Sequence, residues 1–423
     1  MCKQKKLLIL GGNILEKEIV NRAKKLGYYT IVTDNHTDWN LSPAKIIADE
    51  GWNISWSDVD ELEKKCKEEG VHGVLAGFSE FRVENMIKLC NRLHLPCSLT
   101  MEQLEVTRDK ILFKDTCRKY GINTIPEHNI EDADIPFPVI VKPVDRAGSI
   151  GINVAHDKDE LMAFYDIAYG LSPSKHVIIE DFISDGTKVD VYYYVKDHKI
   201  SFLGSSDTIM CKGEKGAKIL QKAWPFKSFF EEQYLKEVDA KVRKMFVGLG
   251  INNAYATMSA FFCNGQFYFF EAGFRLSGEL SYHYYEAICG LNYMDSMIKY
   301  SMDEADSVLY KNCVNKDKHC IVLNFFALDG IVNKIRGTKA LSVNPNVYAI
   351  QLYVGEQENV KNVTNVFRKA AMFTIISNTE TEMLETVAEV SEWFDVFDES
   401  GHSLVYEKVS SKELNQYYKK WKS

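Results

Sequence analysis

Short apolar runs that end in glycine or an acid open the chain. Residues 7–10 are aliphatic throughout and stop at Gly11-Gly12, and the run at residues 30–33 stops at Asp34. Between them a helical pattern reaches Lys25 and closes at Gly27. A second helical stretch, residues 57–69, is stopped by Gly70 before another apolar run at residues 71–76. Strand-length runs alternating with helical patterns predict a parallel sheet with helices on its faces, so residues 1–100 read as a parallel βαβ domain.

Past Leu95-Pro96 the rhythm changes. Residues 101–120 predict one helix, ended by Gly121, and Pro136, Pro138 and Pro143 then bracket the strand-like Val139-Ile140-Val141-Lys142. Asp157 and Glu160 have the spacing of a helix cap, with strands to follow at residues 177–179 and 191–195. Residues 201–227 carry little periodicity, and Gly213, Gly216 and several lysines there predict a mobile loop. One helix over residues 230–249 leads to a hairpin, residues 256–262 and 267–271, turned at Asn264-Gly265. Strands near residues 321–327, 348–354 and 373–376, with helices from Glu380 and after Ser410, predict a small C-terminal α+β domain. The pattern therefore divides into residues 1–100, 101–310 and 311–423, an α/β domain followed by α+β parts.

Composition narrows the function classes. With 423 residues, 46% hydrophobic and 26% charged, the chain has ample material for more than one core. A net charge of -8 argues against a nucleic-acid footprint, which needs clustered cations. The basic start at Lys3, Lys5 and Lys6 precedes too short an apolar run for a secretory signal, and no stretch is long enough to span a membrane. Ten cysteines scattered without a C-x-x-C pair suit reduced thiols, and the expected location is cytoplasmic.

Candidate chemistry lies at strand ends. Gly11-Gly12-Asn13 with Asp34 suggests a dinucleotide site, but Glu16 stands where the third glycine of that fingerprint is needed. Glu80, just beyond an apolar run, is a weak substrate-site candidate. Lys142 closes an apolar strand and so requires a carboxylate or a phosphate as partner. Asp145 to Gly151, with Gly148 and Ser149, forms a small turn whose N–H groups could cradle phosphate. The segment His176-Val-Ile-Ile-Glu-Asp-Phe-Ile183 places Glu180 and Asp181 behind an apolar strand, and Glu271 ends another with Arg275 four residues on.

This ordered set, from Asp109-Lys110 through the Glu271-x-x-x-Arg275 segment, resembles the ATP-grasp superfamily, most of all biotin carboxylase and carbamoyl phosphate synthetase. The resemblance implies a pre-ATP-grasp domain at residues 1–100, a two-lobed ATP-grasp domain at 101–310 with a flexible lid lobe at about 125–185, and the small C-terminal domain. It implies that Lys110 and Lys142 hold ATP phosphates and that Arg146, Gly148, Ser149 and Gly151 belong to the glycine-rich loop. Glu180, Asp181, Phe182 and Ile183 would form the adenine hinge, partly through backbone groups. Lys188 falls near the usual ribose-binding position. Glu271 would bind Mg²⁺, and Arg275 would stabilise an acyl phosphate or a substrate carboxylate.

The implied activity is ATP-dependent ligation of a small-molecule carboxylate to an amine through an acyl phosphate, with release of ADP and phosphate, by a protein that could be a homodimer. Two departures qualify it. Ser259 stands where the family's first metal-binding glutamate belongs, and Gly273 replaces an asparagine. A nucleotide-binding protein with a degraded metal site and a regulatory role is the alternative that these departures suggest.

Overall fold

The structure, a computed structural model, describes residues 4–146, 150–211, 220–304, 306, 308, 310, 318–362 and 368–422. Strands Glu50–Trp52, Tyr29–Thr33, Lys6–Leu10 and Gly73–Leu75 pair in that order, all parallel. Leu7, Leu8, Ile9 and Leu10 are fully buried. Helices Glu16–Lys25 and Glu80–Leu93 pack on this sheet. Burial on both faces is why these strands read as unbroken apolar runs.

A second, antiparallel sheet orders Glu127–His128, Val177–Asp181, Val139–Pro143 and Asn153–Ala155. With helix Lys158–Leu171 it encloses a separate small core of Val139, Val141, Leu161, Ala168 and Ile179. The largest sheet is antiparallel and has eight strands: Gln266–Gly273, Ala254–Cys263, Thr187–Lys196, Lys199–Met210, Gln221–Phe226, His319–Ala327, Arg368–Ser377 and Val347–Leu352. Its last three strands come from the C-terminal part of the chain and join the rest through pairs such as Ala223 with Leu323. The C-terminal region is thus hydrogen-bonded into the central sheet.

Four expectations are corrected. Residues 201–227 are not one loop: strands Lys199–Met210 and Gln221–Phe226 occupy most of the segment. Their signal is hidden because buried positions there are polar: Ser206 bonds Tyr192 at 2.6 Å, Ser205 donates to Glu231 at 2.6 Å, and Ser228 donates to Asp207 at 2.6 Å. Residues 212–219, with Gly213 and Gly216, lie outside the described residues.

The helix expected over 101–120 is two, Met101–Arg108 and Lys110–Lys119. Asp109 takes an extended conformation between them, and its carboxylate caps the N–H groups of Ile111 and Leu112. The helix over 230–249 likewise divides at Val238, where φ of -122° leaves helical geometry. Finally, Cys289 is disulfide-bonded while seven other described cysteines are free, so the thiols are not uniformly reduced. No described helix is long and apolar enough to cross a membrane.

Candidate active site

The break at Asp109 makes Lys110 the first residue of its helix and turns it toward the small sheet. Its ammonium donates to the carbonyls of Val144 at 3.0 Å and Arg146 at 2.8 Å, and no described carboxylate contacts it. Lys142, at the end of strand Val139–Pro143, has a side chain only 7% exposed and meets Glu180 at 2.6 Å. Glu180 is opposite Ile140 in the sheet register and also touches the fully buried Lys114. Lys114 in turn contacts Glu127 at 2.8 Å and donates to the Ile125 carbonyl at 3.0 Å.

These contacts set the local charge balance. Burial works to raise the Glu180 pKa, but the flanking Lys142 and Lys114 more than offset it and hold the carboxyl below its ordinary range. Lys110 has no such partner. Burial, joined by the like charge of Lys142, pulls its ammonium below the ordinary lysine value, against the longer-range pull of Glu271, Glu80 and Glu180. An ammonium with no described carboxylate in contact, beside a second cation, has its charge available to an anion.

The opposite wall is the hairpin of the large sheet. Ser259 is in register with Glu271 on one neighbour and with Asp190 on the other. Glu271 is exposed and within electrostatic reach of Lys110 and Lys188, yet no described cation contacts it. Asp190 is 1% exposed and accepts from Lys188 at 2.8 and 2.7 Å, from Thr208 at 3.3 Å and from the Ser259 hydroxyl. Burial lowers the Lys188 pKa, but Asp190, Glu279 and Glu271 outweigh it and keep the ammonium firmly charged.

Asp190 is the site residue that sequence reasoning missed. Alternation along Thr187–Lys196 puts Lys188 and Asp190 on one face, and that spacing was the available signal. The ammonium expected near the ribose is instead committed to Asp190. Among the described residues no cluster of His, Cys, Asp or Glu could enclose a metal ion by itself. Glu271 fits an ion that takes most of its ligands from phosphate and water, as magnesium does.

The other candidates fall around these walls. Glu80, the first residue of its helix, lies 3.5 Å from Arg275, so the two weakest substrate candidates are brought together. The Arg275 Nε is buried with no partner. Arg146 donates from Nε to the Leu171 carbonyl at 2.8 Å. Gly151 has φ of +77°, and a Cβ there would stand 2.9 Å from Leu171 Cδ1, so the turn needs glycine. Gly148 and Ser149 lie outside the described residues.

At the expected hinge, Asp181 contacts His128 at 2.6 Å, and the N–H groups of Asp181 and Phe182 donate to the carbonyls of Pro126 at 3.1 Å and Pro138 at 3.2 Å. Ile183 packs close to Gly186, where an added Cβ would be 2.5 Å from its methyl carbon. In the parallel sheet, the place a dinucleotide glycine would need holds Glu16, fully buried and ion-paired to Arg82.

Residues 109–305 match the family described as carbamoyl-phosphate synthase L chain, ATP binding domain. Formate-dependent phosphoribosylglycinamide formyltransferase of Prochlorococcus marinus is 28% identical over 190 residues, covering 43% of this chain and 48% of that protein. The chain spans about half the length of the curated relatives it matches. Among solved structures, the biotin carboxylase domain of 2-oxoglutarate carboxylase from Hydrogenobacter thermophilus, in complex with MgADP, ADP and bicarbonate, has a TM-score of 0.78 at 15% identity, covering 99% of this chain and 98% of that one. L-amino acid ligase from Bacillus licheniformis has a TM-score of 0.77 at 17% identity, covering 94% of this chain and 100% of that one. The chain therefore has the ATP-grasp fold, and its residues 109–305 are similar to the carbamoyl-phosphate synthase type of ATP-binding domain.

Proposed function

We propose that the protein is an ATP-dependent ligase that activates a small carboxylate as an acyl phosphate and joins it to an amine. The observation that carries this reading is the Lys110–Lys142 pair, in which Lys110 lacks a carboxylate partner and its like-charged neighbour opposes it. The likeness to a carboxylase domain complexed with MgADP and to an amino acid ligase supports it.

In this reading Lys110 and Lys142 neutralise the phosphates, and Glu180, itself held from behind by Lys114, keeps Lys142 in place. Glu271 would hold magnesium, which adds charge neutralisation at the transferring phosphoryl group. A substrate carboxylate oxygen attacks the γ-phosphorus, the bond to the β-phosphate oxygen breaks, and ADP leaves. Arg275, loosely held by Glu80, orients the carboxylate and stabilises the acyl phosphate. The amine then displaces phosphate. Positioning and charge supply the catalysis, with no protein nucleophile.

The residue divisions near 100 and 310, the hinge role of Asp181 to Ile183, the action of residues 125–185 as a lid, and a cytoplasmic homodimer belong to the same proposal. The carboxylase domain of similar fold is a dimer. A phosphate-release screen of small carboxylates, with and without amines, tests the activity. Carboxylate-dependent ADP formation that Glu271→Gln abolishes is the expected result.

A second reading has its own observation. Asp190, the carboxylate beside Ser259, is already ion-paired to Lys188, so among the described residues Glu271 is the acid that the metal face leaves free. Nucleotide binding with no carboxylate-dependent turnover would favour a regulatory nucleotide-binding protein.

A further inference from the structure

Beyond Arg275 the strand–helix turn leads to Glu279, and the facing strand Arg368–Ser377 brings in Lys369. Both are only partly exposed. The Glu279 Oε2 is buried without a hydrogen-bond partner. The Lys369 ammonium has no described carboxylate in contact. It is framed by the rings of Trp224 and Tyr353, at 5.8 and 5.7 Å from their centroids, and its one hydrogen-bond contact among the described residues is the Met372 sulfur at 3.4 Å. Aromatic faces attract a cation without neutralising it.

The two groups are close but separate. Burial pulls the Lys369 ammonium below its ordinary value, against the pull of the Glu279 charge, and the ammonium is 3.8 Å from where a Cβ on Gly278 would stand, with no other described residue apart from the glycine's chain neighbours within 4 Å of that point. Space therefore opens in front of Gly278. Leu280, which follows, is buried with φ of +58°, a left-handed conformation that a non-glycine residue adopts only under strain. The fold thus holds the Glu279 turn in a strained geometry in which the carboxylate does not close on the lysine.

We propose, resting on the ligase reading above, that the gap between Glu279 and Lys369 is the recognition site for the activated substrate, and that this substrate is a zwitterion of the α-amino acid type. Lys369 and the unpartnered Arg275 Nε receive the carboxylate, and Glu279 receives the ammonium group. A substrate carrying one charge alone leaves the opposite protein group desolvated and unpaired, so the site rejects it.

The test uses the full chain with a non-hydrolysable ATP analogue and magnesium. Thermal shift is measured with each of the proteinogenic L-amino acids. For those that bind, calorimetry compares the acid lacking the amino group and the amine lacking the carboxylate. The expected result is binding of at least one amino acid, with affinity at least ten-fold weaker for both single-charge analogues. Lys369→Met should weaken amino acid binding at least ten-fold, and Glu279→Gln should erase the preference over the des-amino acid. Both variants should retain nucleotide affinity, which reports a preserved fold.

Equal binding of amino acid and des-amino acid overturns the proposal, as does binding of no amino acid. Amino acid binding that follows these rules without ADP formation from ATP sinks the ligase reading and leaves the zwitterion site standing. Carboxylate-dependent ADP formation that Lys369→Met and Glu279→Gln leave unchanged does the reverse.

Discussion

The Ser259 hydroxyl donates to the Asp190 carboxylate from the adjoining strand, and Lys188 closes on the same carboxylate at 2.7 Å. The hairpin face that carries Glu271 therefore has an internal cation bound to its second acid. Lys188→Met leaves Asp190 buried and unpaired, and should cost about 3–5 kcal/mol in urea unfolding. Adding Asp190→Leu should recover most of that loss. A single variant as stable as the parent contradicts the pairing.

Ser259→Glu places a carboxylate against Asp190, with one ammonium to serve both. The variant should lose about 2–4 kcal/mol in EDTA, the cost of crowding an acid into a buried acidic site. Millimolar magnesium should raise its melting temperature by several degrees more than it raises that of the parent, because a divalent ion would satisfy the added charge. Equal responses of the two proteins would show that no cation reaches this face.

Lys110 and Glu180 should separate binding from stability. Glu180→Gln strands the buried Lys142 ammonium and leaves Lys114 with Glu127 as its carboxylate partner, and should cost about 3–5 kcal/mol. Lys110→Ala removes a cation that burial and Lys142 both disfavour, so it should cost less than about 1 kcal/mol while weakening ATP binding at least ten-fold. Denaturation curves and nucleotide titration on the same preparations decide the matter. Similar stability losses for the two variants would refute the charge balance described above.

Asp207 ties the C-terminal helix to the large sheet. It accepts from Ser228 at 2.6 Å, from the Phe229 N–H at 3.1 Å and from Tyr417, and burial pushes its carboxyl up to about 6 despite these bonds. From about pH 4 to about 6 the folded protein keeps a proton that the unfolded chain has released, so this group's contribution to stability falls as pH rises. The full change is about 2–3 kcal/mol. In Asp207→Asn that slope should vanish, so the stability difference between parent and variant should shift by about that amount between pH 4 and 7. A difference constant with pH would show that Asp207 does not titrate there.

Much of the architecture was legible from local pattern. The runs at residues 7–10 and 30–33 are strands because both faces of their sheet are buried, and Lys142 had to find a partner because it ends a buried strand. Glycine punctuation marked the ends of helices, and Asn264-Gly265 marked the hairpin, because these residues adopt backbone conformations that others avoid. The strands over residues 199–210 and 221–226 stayed hidden because their buried side chains include serine and aspartate that satisfy one another.

Local pattern and residue order thus determined the βα alternation, the lysine-ended strand and the candidate set from Lys110 to Arg275. Tertiary structure decided which charges remain free. Glu180 is taken up by two lysines and Asp190 by Lys188, while among the described residues Lys110, Glu271, Glu279 and Lys369 have no opposite charge in contact. Strand order brings Lys369 to Gly278 and Asp190 to Ser259, and only pairing between strands distant in sequence fixes those distances. A residue's charge can be read from its type, but whether that charge is spent depends on what the fold places within a few ångströms of it.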